Sequence, residues 1–178
     1  MRNASFLAVG LGLLLLQSNL FRLLGWLHVP GLVPSLVLPL ILFMGVHEYS
    51  LARGGAVAFA LGYVTDLIGI APIGLYTFTY VALFLLARAA GVRLAAQTVM
   101  MQIVLALAFT LVHCVMVLVL VAIFGKEHDP YVARALYPLA LPHVLATGAV
   151  APFIFRVAER LHTATAAGAR AESGATRS

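Results

Sequence analysis

Between Ala4 and Phe155 the sequence runs apolar six times, with only short breaks between the runs. A helix needs roughly 20 consecutive apolar residues to cross a hydrocarbon core. The spacing therefore predicts spans over 4–27, 32–50, 55–70, 75–90, 98–124 and 135–155. Composition points the same way: 63% of residues are hydrophobic and 10% are charged. A soluble domain carries roughly 25% charged residues, so this chain lacks the polar side chains to coat a water-facing surface. The expected fold is an all-α integral membrane protein, a six-transmembrane-helix bundle forming one domain over 1–160. Residues 161–178 are Ala, Gly, Thr, Ser and Arg in large part and read as a disordered cytoplasmic tail. No length remains for a separate soluble catalytic domain. The first run is read as a retained span, because Gln17-Ser18-Asn19 stands where a signal peptide would carry a small-residue cleavage site.

Charge sets the orientation. With six spans, Arg2, Arg53, Arg88, Arg93, Arg156, Arg160, Arg170 and Arg177 fall on the side of the termini. Arg22, Lys126 and Arg134 fall opposite. Positive loops stay inside, which places both termini in the cytoplasm. The formal charge of +5 is thus an orientation signal at span ends, and no basic patch interleaved with aromatics points to nucleic acid. The lone Cys114 can form no internal disulfide.

The stretch from Ala60 to Phe78 is the one that asks for explanation, because it places an acid, Asp66, inside an apolar run. Gly54, Ala58, Gly62 and Asp66 recur every four residues and share one helix face. Small residues at that spacing let another helix approach closely, so Asp66 is expected in a helix–helix seam away from lipid. Ala4, Ala8 and Gly12 form a second small-residue face. Either face could serve internal packing or a partner. By depth, Asn19, Arg22, Asp66 and His143 fall at one level, making them a candidate buried polar cluster in which Asp66 meets Arg22 or His143. Pro72 and Gly74 mark a charge-free turn after the third span. Pro34 and Pro39 are expected to kink the second.

Catalytic equipment is sparse in the sequence. His47-Glu48-Tyr49-Ser50-Leu51 begins like the zinc-protease motif but has Leu where the second His must stand. Glu127, His128 and Asp129 are adjacent in a short loop, a poor geometry for closing a metal site. There is no phosphate-binding Gly-x-x-x-x-Gly-Lys-Ser/Thr loop and no Gly-x-Ser-x-Gly elbow. His113 and His143 read as hydrogen-bonded packing residues before they read as a proton relay. Tyr63, Tyr76 and Tyr80 flank the Asp66 stretch and could line a cavity or sit at the interface. No catalytic, metal or cofactor site is expected.

The pattern Gly62-x-x-x-Asp66-Leu67-x-x-x-x-Pro72-x-Gly74-Leu75 resembles the signature of the MreD family of bacterial rod shape-determining proteins. The match is strongest over Ala56 to Arg88. One departure is Ile68-Gly69-Ile70-Ala71, which lacks the Ser common in the family's turn. The resemblance implies a multi-pass protein of the bacterial inner membrane, without enzymatic activity or cofactor, in the elongation machinery for lateral peptidoglycan synthesis. It implies MreC, a single-span periplasmic protein, as partner, within a wider complex of MreB, RodZ, RodA and penicillin-binding protein 2, in contact with membrane lipid. It also implies a fold similar to the substrate-binding components of energy-coupling-factor transporters. The alternative function is a small-molecule-binding component of a membrane transporter, since Ala4-x-x-x-Ala8 resembles the first-helix contact of such components.

Overall fold

The computed structural model describes residues 2–24, 33–47, 50–69, 72–90, 98–124 and 130–175, with side chains over 4–20, 33–47, 50–69, 72–90, 98–124 and 138–165. Six helices occupy these segments, one in each apolar run: α1 (Arg2–Leu24), α2 (Val37–Val46), α3 (Leu51–Ile68), α4 (Leu75–Ala89), α5 (Val99–Phe124) and α6 (Pro130–Ala175). No strand occurs among the described residues. Among the described residues, three helical stretches are long and apolar enough to cross a membrane, namely α3, α5 and Pro138–Thr165 of α6. Ala4–Leu20, α2 and α4 are shorter apolar helices.

The bundle is assembled around α2. All of its residues are buried, and it touches every other helix. A helix apolar on all sides has no face to give to solvent and belongs in the centre. Phe43 of α2 joins its neighbours: Phe6 of α1 stacks on it at 6.3 Å between ring centroids, and Phe155 of α6 meets it edge-on at 5.9 Å. Such ring pairs contribute beyond the area they bury.

This central helix is shorter than the predicted 32–50 span, and its prolines act otherwise than expected. Pro34 lies ahead of the helix in irregular backbone. Pro39 is third in α2, within the first turn, where an amide has no intrahelical acceptor to lose. Neither kinks the helix.

The last helix departs from expectation in the other direction. It runs on through Ala175, across the segment whose composition predicted disorder. The alanines of that segment are the strongest helix formers. The Thr163 hydroxyl donates to the Glu159 and Arg160 carbonyls, and the Thr165 hydroxyl to those of Leu161 and His162, so both side chains bond within the helix. Pro138, Pro142 and Pro152 lie within α6, as prolines do where neighbouring helices and hydroxyls cover the freed carbonyls.

Glycines set the closest approaches. A Cβ at Gly45 of α2 would lie 2.8 Å from the Ala87 Cβ of α4, and one at Gly148 of α6 would lie 2.5 Å from a Leu107 methyl of α5. A Cβ at Gly12 of α1 meets nothing within 4 Å. Gly45→Ala should therefore lower stability by about 1–3 kcal/mol through overpacking. Gly12→Ala should raise it by about 0.5–1 kcal/mol through helix propensity alone. Thermal unfolding in detergent, followed by circular dichroism, reads both; a Gly45→Ala midpoint at or above that of the unaltered protein would show that the contact is slack.

Candidate functional site

Asp66 stands in the last turn of α3 and is 2% exposed. Its carboxylate reaches across the turn to the start of α4. Oδ1 accepts from the Tyr76 amide at 2.8 Å. Oδ2 accepts from the amides of Gly74 and Thr77 at 3.0 Å each, and from the Thr77 hydroxyl at 2.6 Å. The first amides of any helix lack intrahelical acceptors and carry the positive end of the helix dipole. In most helices a Ser, Thr, Asp or Asn at the cap position answers them. Here that position is Gly74, with a left-handed φ of 99° and no side chain, and the acid of the preceding helix does the capping.

The rest of the motif serves this contact. One helical turn before Asp66, a Cβ on Gly62 would lie 2.5 Å from the Thr77 Cα and 2.9 Å from the Tyr76 carbonyl oxygen. Only glycine lets α3 approach α4 closely enough for the carboxylate to reach its end. Gly54 and Ala58 are buried on the same face. Gly69 closes α3 by donating to the Thr65 carbonyl at 2.9 Å, and Leu75 donates to the Pro72 carbonyl at 3.2 Å. Pro72 itself is exposed.

Of the residues expected beside Asp66, His143 and Asn19 have other partners. His143 bonds through Nδ1 to the Val33 carbonyl oxygen at 2.6 Å. Asn19 is exposed and donates to the Leu15 carbonyl of its own helix at 2.8 Å. The Arg22 side chain lies outside the described residues, as do Glu48 and the 125–129 loop. Among the described contacts the four-residue cluster is therefore replaced by an acid on a helix end. The Ala4, Ala8 and Gly12 face is exposed, whereas α1 packs inward through Phe6, Gly10 and Leu14.

His143 belongs to a second polar assembly that the sequence analysis did not foresee. The irregular backbone of 33–36 is buried from Pro34 onward, so its polar groups need partners from other helices. Leu36 N–H donates to Oε1 of Gln17 on α1 at 2.9 Å, and Ser35 N–H to the Thr147 hydroxyl on α6 at 3.0 Å. The Thr147 hydroxyl in turn donates to the His143 carbonyl at 2.8 Å. Beside this stitch lies a chamber of about 490 Å³ between α1, the 33–36 segment, α3, α4, α5 and α6. Tyr76, Tyr80 and His113 form an aromatic wall, with centroids 5.8–6.1 Å apart. Tyr63 faces outward and stacks on Phe59 instead. Pro34 and the isolated hydroxyls of Ser35 and Thr147 were the available signals for this assembly. Among the described residues no group of three or more His, Cys, Asp or Glu is placed to hold a metal.

A model of the rod shape-determining protein MreD matches residues 5–160. The chain belongs to the MreD family. That membership assigns it a role in rod-shape determination, in a family that is membrane-associated and is not a family of known enzymes. No curated protein and no solved structure matches it. The Gly62–Leu75 pattern singled out in the sequence joins α3 to α4.

Asp66→Asn keeps the size but presents NH₂ to an amide donor. It should cost on the order of 2–4 kcal/mol, from an unsatisfied buried donor and the lost charge–dipole term. Gly62→Leu should yield no folded protein. Both are read by thermal unfolding and by monodispersity in detergent, and an unchanged midpoint for Asp66→Asn would mean the cap does not hold the hairpin.

Proposed function

We propose that the chain is a non-enzymatic scaffold of the bacterial inner membrane that holds MreC within the cell-elongation complex and so supports lateral peptidoglycan synthesis and cell shape. The observation that carries this reading is the family match over residues 5–160. In this reading all six helices lie in the membrane with both termini cytoplasmic, as the arginine distribution favours, in a bundle akin to the substrate-binding components of energy-coupling-factor transporters. The wider complex would contain MreB, RodZ, RodA and penicillin-binding protein 2.

Of the two small-residue faces, the one on α3 is consumed by packing and the one on α1 faces outward, which makes Ala4, Ala8 and Gly12 the better docking face for the single helix of MreC. A second reading, a small-molecule-binding component of a transporter, draws on the polar chamber.

A pull-down in mild detergent separates the two, with MreC recovered under the first and ATPase subunits under the second. Gly12→Leu should leave the fold intact, since nothing lies near that position, and should lower MreC recovery by about tenfold, equivalent to roughly 1.4 kcal/mol. Full recovery of MreC with Gly12→Leu would move its contact away from α1.

A further inference from the structure

The chamber beside the 33–36 segment does not end at the aromatic wall. A second cavity of about 210 Å³ opens between α4, α5 and α6, and the two share Tyr76, His113 and His143. Their linings differ. The larger presents hydroxyl, amide and imidazole groups, among them Gln17, Ser18, Ser35 and Thr65. The smaller is walled mostly by Val117, Leu118, Leu139 and Ala140. It lies beside outward-facing Val115 and Leu141, which are 51% and 68% exposed. Among the described residues neither lining contains a carboxylate, lysine or arginine; Asp66 is engaged at the α4 terminus and lines neither.

Two features set this pair of cavities apart from a packing gap. Packing gaps in bundles are small and apolar, whereas a chamber of this size with convergent polar groups has the volume and character of a ligand site. Nδ1 of His113, a residue 6% exposed, has no hydrogen-bond partner although it stands in the wall common to both cavities. An orphaned buried polar atom is costly unless something supplies its bond.

We propose that the paired cavities bind an uncharged amphiphile, with a hydroxyl- or amide-bearing head group in the larger chamber and hydrocarbon in the smaller one, its chain leaving toward lipid between α5 and α6. The head group packs against Tyr76 and Tyr80 and bonds His113. The described polar lining consists of hydroxyls, an amide and imidazoles, which complement a neutral hydroxyl or amide head group, whereas a charged head group pays a far larger desolvation cost on burial. This holds whichever protein docks on α1.

The test uses the full chain in phosphatidylcholine nanodiscs and a monoacylglycerol carrying a photoreactive diazirine in its acyl chain, with lysophosphatidic acid of the same chain as the charged counterpart. Crosslinks are mapped by mass spectrometry. The monoacylglycerol should label 113–118 and 139–143 roughly tenfold more than the lipid-facing stretch 99–104, and roughly tenfold more than lysophosphatidic acid labels the same sites. Ser18→Trp at the exposed rim and Leu118→Trp in the side cavity should each abolish the excess, with folding checked by thermal unfolding. Uniform labelling, equal labelling by the anionic probe, or labelling indifferent to both plugs would overturn the proposal and leave a chamber that holds water only. The comparison of head groups needs no variant, so it decides the matter even if a plugged protein fails to fold.

Discussion

The carboxylate of Asp66 takes four hydrogen bonds from the first turn of α4, and much of the bundle's geometry follows from that attachment. An acid at membrane depth is expensive unless its charge is answered. A helix N-terminus is an unusual but sufficient answer, because its free amides and its dipole both favour a negative charge. The same contact removes the α4 amides' own need for partners. Two liabilities in a hydrocarbon setting therefore cancel, and the α3–α4 hairpin, the most extensive pairing in the bundle, is locked in register.

Around that hairpin the remaining helices solve a second problem of the same kind. The chain enters α2 through irregular backbone that is buried among helices, and in a membrane such backbone survives only where protein covers it. Gln17, His143 and Thr147 supply the partners from α1 and α6, so the entry to the central helix is tied to both ends of the sequence. The ties leave the aromatic wall of Tyr76, Tyr80 and His113 standing over a chamber on the same side of the bundle as the α3–α4 turn. The structural requirement and the candidate ligand site thus arise from one local decision, to break the helix ahead of Val37.

Much of this was legible in the residues. The six apolar runs located six helices, and the four-residue spacing from Gly54 to Asp66 identified a buried seam. The partner of Asp66 was not legible. Sequence reasoning looks for side chains of opposite charge, and here three of the four donors are backbone amides, which no letter marks. The role of the α1 stripe was also underdetermined. Ala4, Ala8 and Gly12 and the inward Phe6, Gly10 and Leu14 are interleaved on one helix, and only tertiary packing decides which faces in. Pro34 and Pro39 were misread for a related reason: a proline's effect depends on whether it falls inside a helix or in its first turn, and apolar periodicity does not fix that boundary. The length of α6 was missed because composition alone cannot separate an alanine-rich helix from an alanine-rich tail.

The pattern from Gly62 to Gly74 is thereby given a mechanical meaning: glycine for approach, acid for the helix end, and glycine again for a cap without a side chain. The amides of Gly74, Tyr76 and Thr77 are closed by Asp66 and do not behave as free helix ends. Amide hydrogen exchange by NMR on the protein in lipid nanodiscs measures this residue by residue. The account predicts that these three amides exchange as slowly as those in the middle of α4. Exchange as fast as at an open turn would contradict it, because the hairpin would then be held by something other than the acid.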